Sequence, residues 1–330
     1  MKAMILAAGL GTRMRPLTHL CAKPALPVLN RPLIERTVEQ LVQAGIDEIV
    51  VNLHHRPGTV RAALRDVRRR GVRVRYSHEA GGILGTGGGP RHALRWLGDG
   101  AVLIVNGDVL FDFDLVGLIA RHRRAGALAT LALRPNPDPT KYHPVLIGAD
   151  GRVVRLPGCR RARRGRACLF TGVSVVETAM LKRLAPGPSD SVRDLFAPAV
   201  DAGELVQGAV VRGAWYDLGT PELYRRAQLL LLAREQHGGR GHQSRWRGSL
   251  VDPAARVARD AVIERSVIGA GVSVAAGAQV KRSILWGRAT VGKGARVADA
   301  IVAGPSRVAA GEHLGRGVRV PDRIAAEGIA

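Results

Sequence analysis

The stretch Lys2-Ala3-Met4-Ile5-Leu6-Ala7-Ala8-Gly9-Leu10-Gly11-Thr12-Arg13-Met14-Arg15-Pro16-Leu17-Thr18, with Lys23-Pro24-Ala25-Leu26-Pro27-Val28 close behind it, decides the fold. Lys2–Ala8 is short and apolar and reads as a buried strand. It runs straight into glycines and cations, which is how α/β proteins build a cradle for phosphate. Glycines let backbone N–H groups turn toward an anion, and arginines add charge and forked donors. Two common nucleotide loops are excluded. A dinucleotide fingerprint needs a third glycine where Met14 stands, and a P-loop needs Gly-Lys-Ser/Thr, which is absent. Gly-Leu-Gly alone would be a routine tight turn. Arg13, Arg15 and Lys23, with prolines fixing the backbone between them, make it a candidate anion site.

Outward from this stretch, apolar runs alternate with helical spacing. Leu33–Ala44 carries Leu33, Ile34, Val38, Leu41 and Val42 on one face and stops at Gly45. Glu48–Leu53 reads as a second strand, Thr59–Arg70 as a basic amphipathic helix, and Arg73–Ser77 as a third strand. Glu79–Pro90 is a glycine-rich loop, a helix begins at Pro90–Trp96, and Ala101–Asn106 is a fully apolar strand. Such alternation predicts a Rossmann-like, mainly parallel sheet covered on both faces, with ligands at the carboxyl ends of its strands. From Ala127 the pattern mixes, with strands at Ala127–Arg134, Val145–Ile147, Val153–Leu156 and Leu169–Val176. Pro221–Gln236 reads as a leucine-rich helix.

The remainder has another texture. Residues 237–249 are rich in Gly, Arg and Ser and read as a linker. Beyond it Val262, Ile268, Val274 and Val280 recur every six residues; after a register shift the pattern resumes at Val291 and Val297, then Val302 and Val308. That period belongs to a left-handed parallel β-helix, in which each side of a triangular coil points one aliphatic residue inward. The expected division is 1–236, a linker at 237–249, and a β-helix over 250–330.

Composition narrows the partners. Among 330 residues the formal charge is +23, yet the arginines are scattered and aromatics amount to 4%. That argues against nucleic acid as the main partner while leaving a field that steers anionic substrates inward. Cys21, Cys159 and Cys168 have no zinc spacing and cannot all pair, which suits a reducing cytoplasm. The first apolar run is too short for a signal peptide, and no segment reaches membrane-spanning length.

Gly-x-Gly-Thr-Arg-x-x-Pro-Leu-Thr followed by Lys-Pro-Ala-Leu-Pro-Val resembles the signature of the sugar-1-phosphate nucleotidyltransferases. With the hexapeptide coil, the architecture is similar to that of mannose- and glucose-1-phosphate nucleotidyltransferases; a coil this short implies oligomerisation or regulation rather than acyl transfer. The resemblance implies a GT-A-like catalytic fold, Mg²⁺, an NTP (GTP or UTP) and a sugar-1-phosphate, and a homo-oligomer formed through the β-helix. The implied reaction is attack of a sugar-1-phosphate oxygen on the α-phosphorus, expelling pyrophosphate. Arg13 would grip the β- and γ-phosphates and Lys23 would lie beside the α-phosphate. Leu6, Ala8, Gly9, Gly11, Thr12, Glu79, Gly85, Thr86 and Gly87 would line the nucleotide.

Asp108 follows the apolar strand in Asn106-Gly107-Asp108, and Asp217 lies in Trp215-Tyr216-Asp217-Leu218-Gly219-Thr220-Pro221. Both are expected as metal ligands. Thr220 and Pro221 also read as the start of a helix, and Asp112 and Asp114 as turn and capping residues. The Thr86-Gly87-Gly88-Gly89 form is also similar to the N-acetylmuramate-1-phosphate uridylyltransferases. The family's Glu-Lys-Pro segment is replaced by Arg155-Leu156-Pro157, so Arg155, or else Arg160, stands as the sugar-phosphate candidate. Its Asn-Ala-Gly pattern appears instead as Thr171-Gly172-Val173. Glu177 either binds a sugar hydroxyl or ends a strand. Guanylyl transfer to mannose-1-phosphate leads; uridylyl transfer to a glucose- or muramate-type sugar, or a non-catalytic sensing subunit, stands as the alternative.

Overall fold

A computed structural model describes residues 1–136, 138, 140, 142–160, 164–235, 246 and 248–327. It divides into two compact units, one of Met1–Leu10 with Ile34–Tyr216, the other of Gly11–Leu33 with Asp217–Ala330.

The first unit is built on a nine-stranded sheet. Its main path runs Val153–Arg155, Val145–Ile147, Arg166–Glu177, Ala101–Asn106, Lys2–Leu6, Glu48–Leu53 and Arg73–His78, with Ala129–Pro135 and Val206–Val210 joined beside Arg166–Glu177. The last four strands of that path are parallel, as strand–helix alternation requires. Arg166–Glu177 then runs antiparallel to Ala101–Asn106 and begins the mixed half. Val102, Leu103, Ile104 and Val105 are all buried. Each contributes roughly 1.5–3 kcal/mol by leaving water, so an uninterrupted apolar strand sits in mid-sheet.

Several boundaries differ from the sequence expectation. The basic helix is two, Pro57–Ala63 and Arg65–Arg69, broken at Leu64. The glycine-rich loop is already helical from Gly85 to His92. Low propensity is overridden there by close packing: a Cβ at Gly88 would lie 2.2 Å from the Gly187 carbonyl oxygen. Most of the expected linker lies outside the described residues.

In the second unit, three parallel sheets of five, four and four strands form the left-handed β-helix. Leu250 pairs with Val267, Val267 with Ile284, and Ile284 with Ile301, a 17-residue coil. Two sides use six residues and one uses five, which explains the apparent register shift. Val262 is only half-buried; Ile263 is the inward residue, five before Ile268. The short side turns through Arg265, Arg282 and Asp299, all at positive φ. Ser249, Ser266 and Ser283 stack beside that turn. Each hydroxyl accepts from a backbone N–H one coil on, those of Ser266, Ser283 and Ala300, at 3.0–3.1 Å.

The helix Pro221–Glu235 and the segment Gly11–Leu33, which holds most of the signature motif, belong to this unit. Thr220 Oγ1 accepts from the Leu223 N–H, as a capping residue should. Leu29 N–H donates to Gln228 Oε1 at 2.9 Å, and Asn30 Nδ2 donates to the Ile268 carbonyl at 2.9 Å. Burial pushes the Tyr224 phenol well above its usual range. It stays protonated, donates to the Pro27 carbonyl and accepts from Trp286 Nε1. Arg225, almost wholly buried, bonds to Glu222, Asp299 and the Arg282 carbonyl.

Candidate functional site

In the first unit the candidate residues gather at the carboxyl edge of the parallel strands. Leu6 pairs with Asn106, and the Leu6 carbonyl accepts from the Gly107 N–H at 2.9 Å. The entry to the glycine-arginine loop is thus fastened to the corner that presents Asp108. Ala7 N–H donates to Asn52 Oδ1 at 2.6 Å, and Asn52 Nδ2 donates to Glu79 Oε1 at 2.7 Å. Glu79 Oε2 in turn accepts from the Leu84 N–H at 2.8 Å. Asn52 and Glu79 are buried, so this chain ties two strand ends to the start of the glycine-rich segment. Glu79, expected to line the nucleotide, spends both carboxylate oxygens on that scaffold.

Gly85 takes φ +76°, and a Cβ on it would meet the Ser189 carbonyl oxygen at 2.5 Å. Gly87 N–H donates to that same oxygen, while Thr86 Oγ1 bonds to Asp190 and Ser191. Gly85, Thr86 and Gly87 are therefore clamped to the segment 189–191. Gly172 (φ +82°) approaches the corner from the other side: a Cβ there would lie 2.7 Å from Asn106 Nδ2. The preceding Thr171 is buried, donates to the Ala132 carbonyl and accepts at its own carbonyl from Trp215 Nε1. Thr171-Gly172 thus forms a bulge in Arg166–Glu177 beside Asn106.

Asp112 Oδ1 accepts from the Ala214 N–H, and Asp114 caps the helix Leu115–Ala125 through the Gly117 N–H at 2.8 Å. Both act as the turn and capping residues expected. Glu177 pairs with Ala101, at the opposite end of that strand from Asn106. Its Oε1 lies 3.2 Å from Nε2 of the buried His122. It closes the strand Arg166–Glu177. Arg155 stands exposed at the end of an edge strand, with two strands between it and Ala101–Asn106.

In the second unit the signature motif winds through short 3₁₀ turns at Thr12–Met14, Leu17–His19 and Lys23–Ala25. Met14, Leu17 and Thr18 point inward while Thr12, Arg13 and Arg15 are exposed. Gly11 is left-handed at φ +62°, and a Cβ there would lie 2.8 Å from Thr18 Cγ2, so glycine is required on both counts. Its carbonyl accepts from Thr18 Oγ1 and the Met14 N–H. Lys23 is 6% exposed, in contrast to the exposed Arg13. Gly9, in the first unit, has neither positive φ nor a neighbour that a Cβ would meet. Ala8, before it, is buried.

Asp108 and Asp217 are each half-buried. A Cβ at Gly219 would press to 2.8 Å from Asp217 Oδ1, so the glycine leaves that carboxylate room. Each carboxylate is of the kind that suits a hard divalent cation. No group of three or more His, Cys, Asp or Glu side chains able to hold a metal occurs among the described residues. No described helix is long and apolar enough to cross a membrane. The residues sequence reading missed are Asn52, Thr171 and Trp215, which orient rather than present chemistry. Asn52, a polar side chain inside the apolar run Glu48–Leu53, was the available signal.

Residues 2–234 match the nucleotidyl transferase family, and residues 233–323 match the GlmU-like C-terminal hexapeptide family. A UTP–glucose-1-phosphate uridylyltransferase of Synechocystis is 33% identical over 71% of this chain and 64% of its own length. An N-acetylmuramate α-1-phosphate uridylyltransferase of Neisseria meningitidis is 38% identical over 70% of this chain and 98% of its own. A mannose-1-phosphate guanylyltransferase of Mycobacterium tuberculosis is 30% identical over 82% and 77%. The chain spans under two thirds of the Synechocystis protein. Nucleotidyl transferases generally use a divalent metal. The chain belongs to the nucleotidyl transferase family and carries a GlmU-like hexapeptide coil on its C-terminal side.

Proposed function

We propose that this protein transfers a nucleotidyl group from an NTP to a sugar-1-phosphate, with Mg²⁺, releasing pyrophosphate. The observation that carries the reading is the Leu6–Gly107 hydrogen bond, which fastens the glycine-arginine loop's entry to the Asp108 corner. In that reaction a sugar-phosphate oxygen bonds to the α-phosphorus as the bond from the α-phosphorus to the bridging oxygen breaks. The pair of electrons leaves on pyrophosphate, so negative charge grows at the β-phosphate. Arg13 takes up that charge through forked donors, and Lys23 steadies the α-phosphoryl oxygens as a point charge. Loop amides from Gly9 to Thr12 hold the triphosphate, and Gly85, Thr86 and Gly87 offer a rigid backbone edge to the base. Glu79 acts here as a positioning residue. Asp108 and Asp217 are the carboxylates that would hold magnesium, which would neutralise phosphate charge. Arg155 is the candidate for the sugar phosphate.

The leading substrates are GTP and mannose-1-phosphate, favoured by a guanylyltransferase relative whose match covers 82% of this chain. UTP with a glucose- or N-acetylmuramate-type sugar phosphate is the second reading, favoured by the 38% identity of a uridylyltransferase relative. We assign 1–236 to catalysis and 250–330 to self-association of the chain. Pyrophosphate release across a matrix of NTPs and sugar-1-phosphates, with and without EDTA, tests the proposal. One combination should turn over and EDTA should abolish it. Asp108→Asn should lower kcat at least ~1000-fold while leaving the thermal transition in place. A silent matrix with intact nucleotide binding would make the protein a sensor.

A further inference from the structure

The first unit carries a concavity of about 1140 Å³, lined by none of the residues assigned above. It runs along the edge strand Arg73–His78, reaching the starts of its neighbours at Lys2 and Glu48 and the helix pair Pro57–Ala63 and Arg65–Arg69. Seven of its lining side chains are cations and a single one, Glu48, is an anion. Some of that charge is neutralised locally. Lys2 and Arg73 share Glu48, Arg73 also reaches Asp47, and Arg69 pairs with Asp66. Arg61 lies over the Tyr76 ring, 5.2 Å from its centroid, and hydrogen-bonds His78. Arg65, Arg68 and Arg75 have no carboxylate partner among the described residues, and all three are exposed.

The arrangement is costly unless something uses it. Arg65 and Arg68 lie three apart on the second helix, where like charges on one face repel, and Arg61 adds a cation from the first. The edge strand adds Arg73 and Arg75, separated by one residue and so on its same face. A basic last helical turn would explain Arg68 and Arg69, and a charged edge strand resists pairing with another copy. Neither accounts for a concavity whose lining combines both cation rows with two half-buried aromatic rings, Tyr76 beneath Arg61 and Trp96 beneath Arg95.

We propose that this cleft is a second anion site, taking a small polyanion with two or three linked phosphates, either free or as the tail of a nucleotide. Its guanidiniums match phosphate oxygens in forked, charge-assisted pairs. The site uses none of the proposed catalytic residues and does not depend on that assignment.

The test titrates the full chain with inorganic tripolyphosphate in EDTA by calorimetry, for wild type, Arg65→Gln/Arg68→Gln, Arg65→Gln/Arg68→Gln/Arg75→Gln, and Arg13→Ala. A binding component should survive Arg13→Ala and weaken by about 100-fold or more in the triple variant. The helix-only double variant, which leaves the edge strand charged, should weaken it by roughly tenfold. GTP and UTP arms separate the sources. Equal affinity for all three ligands means the phosphates are what is read, and tighter nucleotide binding means the aromatic rings add a base contact; both support the site. Unchanged binding in the triple variant overturns it. So does a single-stranded oligonucleotide that binds through these arginines where tripolyphosphate does not. Self-association of the triple variant without loss of a binding component would leave the arginines as guards of the edge strand, and also overturns it.

Discussion

The corner around Asn52 and Glu79 and the short side of the β-helix solve the same problem by opposite means. Each must satisfy backbone N–H groups that leave a regular ladder inside a buried site. At the corner, each bond has a different partner: Ala7 uses Asn52, Asn52 uses Glu79, and Glu79 reaches Leu84. On the short side one serine is repeated, and each coil's hydroxyl accepts the same N–H of the next. A shared buried network concentrates free energy in a few residues, whereas a repeat spreads it over equal steps.

The largest effect should come from breaking the corner. Asn52→Ala strips the Ala7 N–H of its acceptor and removes one donor from the buried Glu79 carboxylate. A loss of about 3–5 kcal/mol is expected, because two buried groups each lose a partner at about 1–3 kcal/mol apiece, and more where one is a carboxylate. Urea unfolding would measure it. A loss under about 1 kcal/mol would mean the network tolerates a gap and the comparison fails.

Ser266→Ala should do less. It removes the acceptor of the Ser283 N–H, and the hydroxyl's own bond to the Glu264 carbonyl, leaving the flanking serines in place. We expect about 1–3 kcal/mol, with a similar value for Ser249→Ala, whose hydroxyl accepts from Ser266. Widely unequal costs at the two serines would show that the coils are not equivalent.

The same contrast governs what could be read beforehand. The coil was legible because Val274, Val280, Val291 and Val297 announce its long sides with one side-chain type. Its five-residue side was read only as a shift. The turn there is made by Arg265, Arg282 and Asp299 in a conformation for which glycine is the usual signal. In the first unit the apolar strands and the strand-end position of Asp108 were plain. The scaffold beneath them was not, because Asn52 meets partners 45 and 27 residues away, and no local period encodes such pairs. Gly85–Gly89 misled for a related reason: glycine opposes a helix by propensity, yet here the backbones of Gly187 and Ser189 come too close for any side chain.

The smallest effect lies where the coil departs from strict repetition. Arg282 and Asp299 occupy equivalent turns one coil apart and form a two-point ion pair, with Arg225 bonded to the same carboxylate. The Arg282 guanidinium, chiefly by hydrogen bonding, holds the Asp299 carboxyl below its usual range. A folded-state pKa below the unfolded one, about 3.9, stabilises the protein above that value and loses the contribution as acid protonates the native carboxylate. Asp299→Asn should therefore lower the melting temperature at pH 7, and its gap to wild type should close as the pH falls below about 4. The pair is partly exposed, so added salt should shrink the neutral-pH gap as well. A gap that widened in acid would reverse the sign and assign the stabilisation to the neutral carboxyl. The turn would then be held by hydrogen bonding alone, as the serines beside it are.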